Sequence, residues 1–366
     1  MEAQKKTAET KKSMRGLRKE NLQMLKQRIQ MINELPKEVA KEENVLEVHH
    51  LVKYFPIKAG LFSQLTGYVR AVDDVSFSIK RGTTMGLVGE SGCGKTTVGK
   101  TLLRLNDKTA GQVLFNGVEL HDLSAEEMRK LRPKIQMIFQ DPYSSLSPRM
   151  PVSEIIGEAV REHGLVPEDQ FDEYIDKIML ACGLQPYHKD RYPHEFSGGQ
   201  RQRICIARSI ALNPDFIVCD EPVSALDVSI QAQIINLLMD LQKQFGLTYL
   251  FISHDLSVVE HISDTVGVMY LGTMVEYASK ESIFKNPLHP YTDALFSAIP
   301  IPDPDVKMNR VILQGSIPSP ANPPSGCKFH TRCSKCMEIC SKVAPKTIEV
   351  EPGHFVACHL YGESAE

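Results

Sequence analysis

Apolar residues at Leu22, Leu25, Ile29 and Ile32 recur at the three- and four-residue spacing of one helix face, and Pro36 closes the run. The stripe is narrow. Eleven Lys or Arg and seven Asp or Glu are mixed through Met1 to Glu43, so the pattern predicts a solvated helical extension over residues 1–44 rather than a membrane-surface anchor. From Leu46 to about Met274, short β-branched runs alternate with helical patterns, which predicts an α/β domain over residues 45–299. Strands are expected at Met85 to Val88, Ile135 to Phe139, Phe216 to Cys219, Thr248 to Ile252 and Thr265 to Met269. Ser124 followed by Glu127 marks a capped helix start between the first two. Val152 to Gly183 reads as consecutive helices with no strand, the centre of a helical insertion placed at about 145–212. After Pro287 the texture changes. Pro300, Pro302 and Pro304, then Pro318, Pro320, Pro323 and Pro324, cannot be helix interior and predict extended backbone leading into a small module over residues 300–366.

Composition adds exclusions. With 366 residues, 42% hydrophobic and 24% charged, the chain can bury a large core and is not wholly disordered. Lys plus Arg number 42 against 45 Asp plus Glu, and the net charge of −3 gives no global attraction to nucleic acid or to an anionic membrane. Val228 to Met239, the longest apolar candidate, is broken by Ser229, Gln231, Gln233 and Asn236 and helically periodic, so no spanning segment is expected. The opening MEAQKKTAETKK lacks the apolar run of a secretory signal, and an intracellular protein is expected. Cysteine placement is uneven: of nine, Cys327, Cys333, Cys336, Cys340 and Cys358 crowd the last 40 residues, which points to a metal or a reactive site.

The strongest chemistry lies at Gly89-Glu90-Ser91-Gly92-Cys93-Gly94-Lys95-Thr96, a full GxxxxGK[ST] match placed after an expected strand and before an expected helix from Val98 to Leu105, with Thr97 following. Glycines let backbone N–H groups converge on phosphate oxygens, Lys95 supplies a point charge, and the Thr96 hydroxyl suits Mg²⁺. The apolar run Phe216 to Cys219 ends in Asp220 and Glu221, one carboxylate for the metal and the next for the attacking water. Ser197-Gly198-Gly199-Gln200 opens a helical stretch from Arg201 to Leu212 and forms a second helix-terminal anion site, which one triphosphate in one subunit does not need.

Taken with Gln140 after its strand, Phe196 before the SGGQ run, Ser224-Ala225-Leu226-Asp227 and His254, these motifs resemble ABC ATPase subunits in order and spacing from about Leu46 to Tyr277. Phe196 stands where Leu is commoner in that family. The resemblance implies the P-loop NTPase fold with a helical subdomain, and a head-to-tail dimer with ATP between one P-loop and the partner's SGGQ. It implies that Lys95, Thr96 and Asp220 hold phosphate and Mg²⁺, that Gln140 senses the metal and reports to a transmembrane partner, and that Glu221 orients or deprotonates water. It further implies that His254 contacts the γ-phosphate, that Ser197 and Gly199 grip the partner's ATP, and that Asp227 links the two sites. The aromatic stacking on adenine is either Phe55 or Tyr68, because Pro56 to Gly67 disturbs the usual spacing.

Asp141-Pro142-Tyr143-Ser144-Ser145-Leu146, Leu288-His289-Pro290-Tyr291-Thr292 and Ile317-Pro318-Ser319-Pro320 ahead of Gly326-Cys327 narrow the resemblance to oligopeptide/dipeptide importer ATPases, on the side of the second of their two paired ATPases. That family implies a second, different ATPase subunit, two membrane permeases and an external binding protein, with the chain peripheral on the cytoplasmic face. Other small solutes such as nickel are alternative cargoes. A soluble ABC protein acting on nucleic acid or ribosomes would need tandem ATPase domains, a coiled-coil insert or a basic face. Cys327, Cys333, Cys340 and Cys358 occupy positions for which the resemblance implies a [4Fe–4S] cluster. Four thiolates also suit zinc, the alternative reading, Cys336 could replace a ligand, His330, His354 and His359 offer further zinc ligands, and reduced thiols without metal are the third reading.

Overall fold

The computed structural model describes residues 22–59, 63–298, 311 and 313–362. Residues 1–21 and the prolines at 300, 302 and 304 lie outside that range. The first element, α1, is helical over residues 22–33 and ends before Pro36 as its pattern predicts. It is not a solvated extension. Leu25 and Ile32 are buried against Val52, Tyr54 and Ala110, with Ile29 and Tyr68 at the margin. A narrow stripe therefore suffices to dock a helix when the receiving sheet offers an apolar face of the same width.

That face belongs to a four-stranded antiparallel sheet of order β2-β1-β4-β5, built from β1 (Asn44–Ala59), β2 (Gln64–Lys80), β4 (Ala110–Phe115) and β5 (Val118–Glu119). The second sheet has eight strands in the order β11-β12-β10-β9-β3-β8-β7-β6. Its centre is parallel and comprises β3 (Thr84–Val88), β6 (Ile135–Ile138), β7 (Phe216–Asp220), β8 (Thr248–Ile252) and β9 (Thr265–Tyr270). Every residue of β3, β7 and β8 is buried, as a sheet covered on both faces requires, and these are the strands that continuous apolar runs predicted. β10 (Thr273–Ser279), β11 (Ile348–Glu351) and β12 (His354–Val356) extend it antiparallel.

One core lies between the two sheets and holds Val48, Val75, Leu87, Val98, Phe115, Val218 and Leu250. The other lies beneath the helical insertion and holds Ile138, Ile156, Ile175, Ile204, Ile234 and Tyr249. Between the sheets runs α2 (Lys95–Leu102), followed by α3 (Ala125–Leu131), whose Ser124 and Glu127 form the expected reciprocal cap. The insertion comprises α4 (Pro142–Ser145), α5 (Val152–Glu162), α6 (Phe171–Ala181) and α7 (Gly198–Ile210). α8 (Val228–Phe245), α9 (Leu256–Ile262), α10 (Lys280–Lys285) and α11 (Pro290–Phe296) complete the set. Two helices begin three residues ahead of their apolar pattern, α2 at Lys95 and α7 at Gly198, because the first turn needs no apolar side chain and leaves its N–H groups free. Among the described residues no helix is long and apolar enough to cross a membrane.

Candidate functional site

The loop from Gly89 to Gly94 joins β3 to α2 and is shaped by its neighbours. Gly94 sits at φ 110°, and a Cβ there would stand 2.1 Å from the Ala71 carbonyl oxygen. Gly89 is likewise pressed against the Met269 carbonyl oxygen, 2.2 Å from an added Cβ, so both positions admit glycine alone. Ser91 and Gly92 are exposed on the open side of the loop. The buried Cys93 thiol is pushed up by burial and fills space behind Gly89. Lys95 folds back over the loop, its Nζ donating to the Gly89 carbonyl at 2.7 Å and the Glu90 carbonyl at 3.3 Å. These two carbonyls occupy the donors that phosphate oxygens would otherwise take. Thr97 follows in the first turn of α2.

Parallel pairing places the end of β7 beside that turn. Thr96 Oγ1 donates to Asp220 Oδ1 at 2.8 Å, and burial pushes the Asp220 carboxyl above its ordinary value against that pull. A desolvated carboxylate and a hydroxyl, both hard oxygen donors beside a phosphate loop, fit Mg²⁺. Glu221, the next residue, takes a left-handed backbone at φ 49°, a conformation that costs a non-glycine residue about 1–2 kcal/mol. The turn aims its carboxylate away from Asp220 and into a second set of contacts. Gln140 Nε2 donates to Glu221 Oε2 at 2.8 Å, and His254 Nδ1 lies 3.3 Å from the same oxygen. Glu221 is 19% exposed and His254 61%, so the carboxylate is sheltered while the imidazole stands at the mouth. Gln140, Glu221 and His254 come from the ends of β6, β7 and β8, three parallel strands that deliver them to one edge.

Ser197 caps α7, accepting from the Gln200 N–H at 3.4 Å while Gln200 Oε1 accepts from the Ser197 N–H at 3.0 Å. Gly199 leaves 2.6 Å between an added Cβ and Ile230 Cγ2 of α8, and Gly198 stands beside Leu226. Asp227 is exposed ahead of α8. Among the described residues no hydrogen bond or ion pair joins this group to Gly89 to Thr97 of the same chain. Of the two aromatics, Tyr68 packs toward Tyr54 and the α1 interface, whereas Phe55 stays partly exposed with the Lys53 ammonium 4.8 Å from its ring centre.

The late cysteines gather into one neighbourhood without closing on a common point. Burial pushes the Cys327 thiol up to about 11, with Cys340, Cys358 and Cys333 adding to the rise, and Cys333 and Cys358 are raised in the same way. The donors are soft and suit iron–sulfur or zinc. Yet among the described residues no group of three or more Cys, His, Asp or Glu is placed to hold a metal ion. As placed, the set does not fit the expected cluster. Cys336 is exposed at the surface. The histidines read as alternative zinc ligands are otherwise engaged: His330 Nδ1 on the Cys327 carbonyl at 2.8 Å, His359 Nε2 on the Val343 carbonyl at 2.9 Å, and His354 between Glu276 at 2.7 Å and Ser282 at 2.9 Å.

Behind the phosphate loop are contacts that no motif announced. Arg332 forks onto Glu90, Nη1 to Oε2 at 2.7 Å and Nη2 to Oε1 at 3.0 Å. The Glu90 N–H donates to Tyr291 Oη at 2.9 Å. Lys328 meets Asp73 at 2.7 Å and donates to the Leu271 carbonyl at 2.8 Å, while Arg28 of α1 reaches Asp73 at 3.0 Å. Tyr291 lies in the LHPYT run, so a signal existed for it. None existed for Lys328 or Arg332.

A glycine loop, its lysine and threonine, and carboxylates at the ends of neighbouring parallel strands define a P-loop nucleoside triphosphatase. Residues 72–224 match the family described as ABC transporter, and residues 275–340 match the oligopeptide/dipeptide transporter C-terminal region. The oligopeptide transport ATP-binding protein AppF of Bacillus subtilis (strain 168) is 55% identical over 325 residues, 88% of this chain and 99% of its own. A putative peptide import ATP-binding protein of Brucella ovis is 54% identical over 317 residues, 87% and 98% of the two chains. Among solved structures, cbiO1 of Clostridium perfringens, part of the ABC transporter complex cbiONQ, superposes with a TM-score of 0.58 at 28% identity, covering 67% of this chain and 92% of that one. A dimeric post-hydrolysis state of the ATP-binding cassette MJ0796 bound to ADP and Pi gives 0.57 at 26% identity, covering 64% and 98%. The chain belongs to the ABC transporter family, in its oligopeptide/dipeptide transporter group, and is an ATP-hydrolysing enzyme.

Proposed function

We propose that this protein powers peptide uptake as one of two ATPase subunits paired head to tail on the cytoplasmic face of a membrane, beneath two permease subunits supplied by an external binding protein. Peptide as cargo is supported by the names of the relatives and by the match over residues 275–340. The unpaired SGGQ group at the start of α7, with Asp227 following the Leu226 that lies beside Gly198, supports a site completed by a second subunit. There Ser197, Gly198, Gly199 and Gln200 would face the partner's ATP, and Asp227 would join the two sites.

The observation that carries the reading is the Glu221 carboxylate, held by Gln140 and His254 one residue beyond the Asp220–Thr96 pair. Lys95 exchanges its two loop carbonyls for phosphate oxygens as ATP enters, and the freed loop N–H groups take the rest. Thr96, Asp220 and Gln140 would hold Mg²⁺, which when bound offsets charge building on the phosphates. Glu221 accepts the proton of the water that attacks the γ-phosphorus, ADP leaves in line, and His254 steadies the γ-phosphate. Phe55, the aromatic with a free face, stacks on adenine. Glu221→Gln removes the base and preserves shape, so turnover should fall about 10²- to 10⁴-fold with ATP binding retained. Steady-state hydrolysis and nucleotide titration check this, and unchanged hydrolysis refutes the role.

For the cysteine module, the finer reading is that Cys327, Cys333, Cys340 and Cys358 draw together around a soft metal, as a [4Fe–4S] cluster or zinc, with a structural role. The soft chemistry of the four thiols and their shared neighbourhood support it, and binding would require them to move closer than they stand here. Anaerobic purification followed by iron, sulfide and zinc assay decides it, and a folded protein without metal refutes it.

A further inference from the structure

Glu90 is an awkward residue for a loop that holds a triphosphate. A bare carboxylate there would repel the phosphates that Lys95 and the loop amides attract. Three of its groups are engaged. The N–H donates to Tyr291 Oη, the carbonyl accepts from Lys95 Nζ, and the carboxylate takes both arms of the Arg332 guanidinium. Bidentate pairing fixes direction as well as charge. Arg332 is only 7% exposed, and its guanidinium also reaches Tyr270 Oη at 3.5 Å. Tyr270, Tyr291 and Phe329 pack ring against ring behind it, with centroids 4.8 to 5.3 Å apart. The base of the fork is therefore rigid. The loop is pinned on a second side as well, where the Gly272 N–H donates to the Cys93 carbonyl at 2.8 Å, beside the Leu271 carbonyl that Lys328 holds.

We propose that Arg332 is a positioning residue for ATP, acting through Glu90: it cancels the loop's own negative charge and holds the loop open in its phosphate-binding shape. The assignment rests on the reading of Gly89 to Thr96 as the ATP site and extends that site to a residue of the cysteine-bearing C-terminal segment. Arg332 reaches the loop only through the Glu90 carboxylate. It alters affinity for phosphate and leaves the Glu221 step alone.

The test uses the full chain and MgADP and MgATP as probes. Arg332→Gln should weaken MgATP binding about tenfold, or about 1.4 kcal/mol. The loss should be smaller for MgADP, which carries less charge. KM for ATP should rise by a similar factor while kcat stays within about twofold. Added NaCl should shrink the penalty, because it is electrostatic. Arg332→Lys, which keeps the charge without the fork, should fall between wild type and Arg332→Gln. The double variant Glu90→Gln/Arg332→Gln should recover most of the lost affinity, since no bare carboxylate remains. Wild-type affinity in Arg332→Gln overturns the proposal, as does a double variant no better than the single one, which would mean packing alone. If Arg332→Gln does not fold, Arg332→Lys with unchanged ATP affinity overturns it equally. Lys95→Ala separates the two readings: if it binds nucleotide as the wild type does, the ATP site itself is misplaced, whatever Arg332 does.

Discussion

His289 shows how a single buried group ties stability to pH. Its Nδ1 accepts the Tyr291 N–H at 3.0 Å at the start of α11, which requires a neutral ring, and burial lowers its pKa to about 4. The unfolded chain takes up the proton near pH 6.5, so between about pH 6.5 and 4 it binds more protons than the folded one. Stability is complete above that window and declines as pH falls through it. At pH 5 the expected loss is about 2 kcal/mol. Urea midpoints at pH 7 and 5 measure it, and His289→Asn, which keeps an acceptor, should flatten the difference. Residues of this kind are the least legible in sequence. Gly89 to Thr96, Asp220, Glu221 and SGGQ are contiguous and follow the chain's own strand and helix signals. Asp73, Lys328, Arg332 and Glu276 matter through partners far away, and as letters they resemble any surface charge.

At the scale of elements, legibility followed burial. The parallel strands are sheathed on both faces and left continuous apolar runs, so their positions could be read to within a residue. β1 and β2 mix buried and exposed positions and carry several register shifts, which erase the alternation a strand normally leaves. β11 and β12 are too short to leave any pattern. The helical insertion was readable because α5 and α6 each carry a full apolar face. Their contact depends on one small residue: a Cβ on Gly157 of α5 would lie 2.1 Å from Phe171 Cζ of α6, where the Arg161 guanidinium already covers the ring at 3.7 Å. Gly157→Val should therefore force the two helices apart at a cost of about 1–3 kcal/mol. Chemical denaturation gives the value, and a wild-type midpoint would show that the helices slide without penalty.

On the scale of the whole molecule, the segment after residue 313 is structurally part of the ATPase. β12 continues its sheet through Glu276 and Tyr277, Lys328 reaches Asp73 within β2 and the Leu271 carbonyl just past β9, and Arg332 reaches Glu90 inside the phosphate loop. Burial alone would raise the Asp73 carboxyl. The Lys328 and Arg28 cations outweigh that effect and hold it below its ordinary value, with the Tyr54 hydroxyl donating to the same group. Removing one partner leaves a buried charge short of compensation, so Lys328→Met should cost about 3 kcal/mol, and Asp73→Asn in the same chain should recover part of it. Thermal or urea unfolding of the three proteins checks the order. The separation of these partners sets a timetable during synthesis. Glu90 leaves the ribosome 242 residues ahead of Arg332, an interval of about 12 to 50 seconds at roughly 5–20 residues per second. For most of that time β8 and β9, the strands that flank β3, are unmade as well, so the shape of the loop and the partner of its carboxylate both arrive late in synthesis.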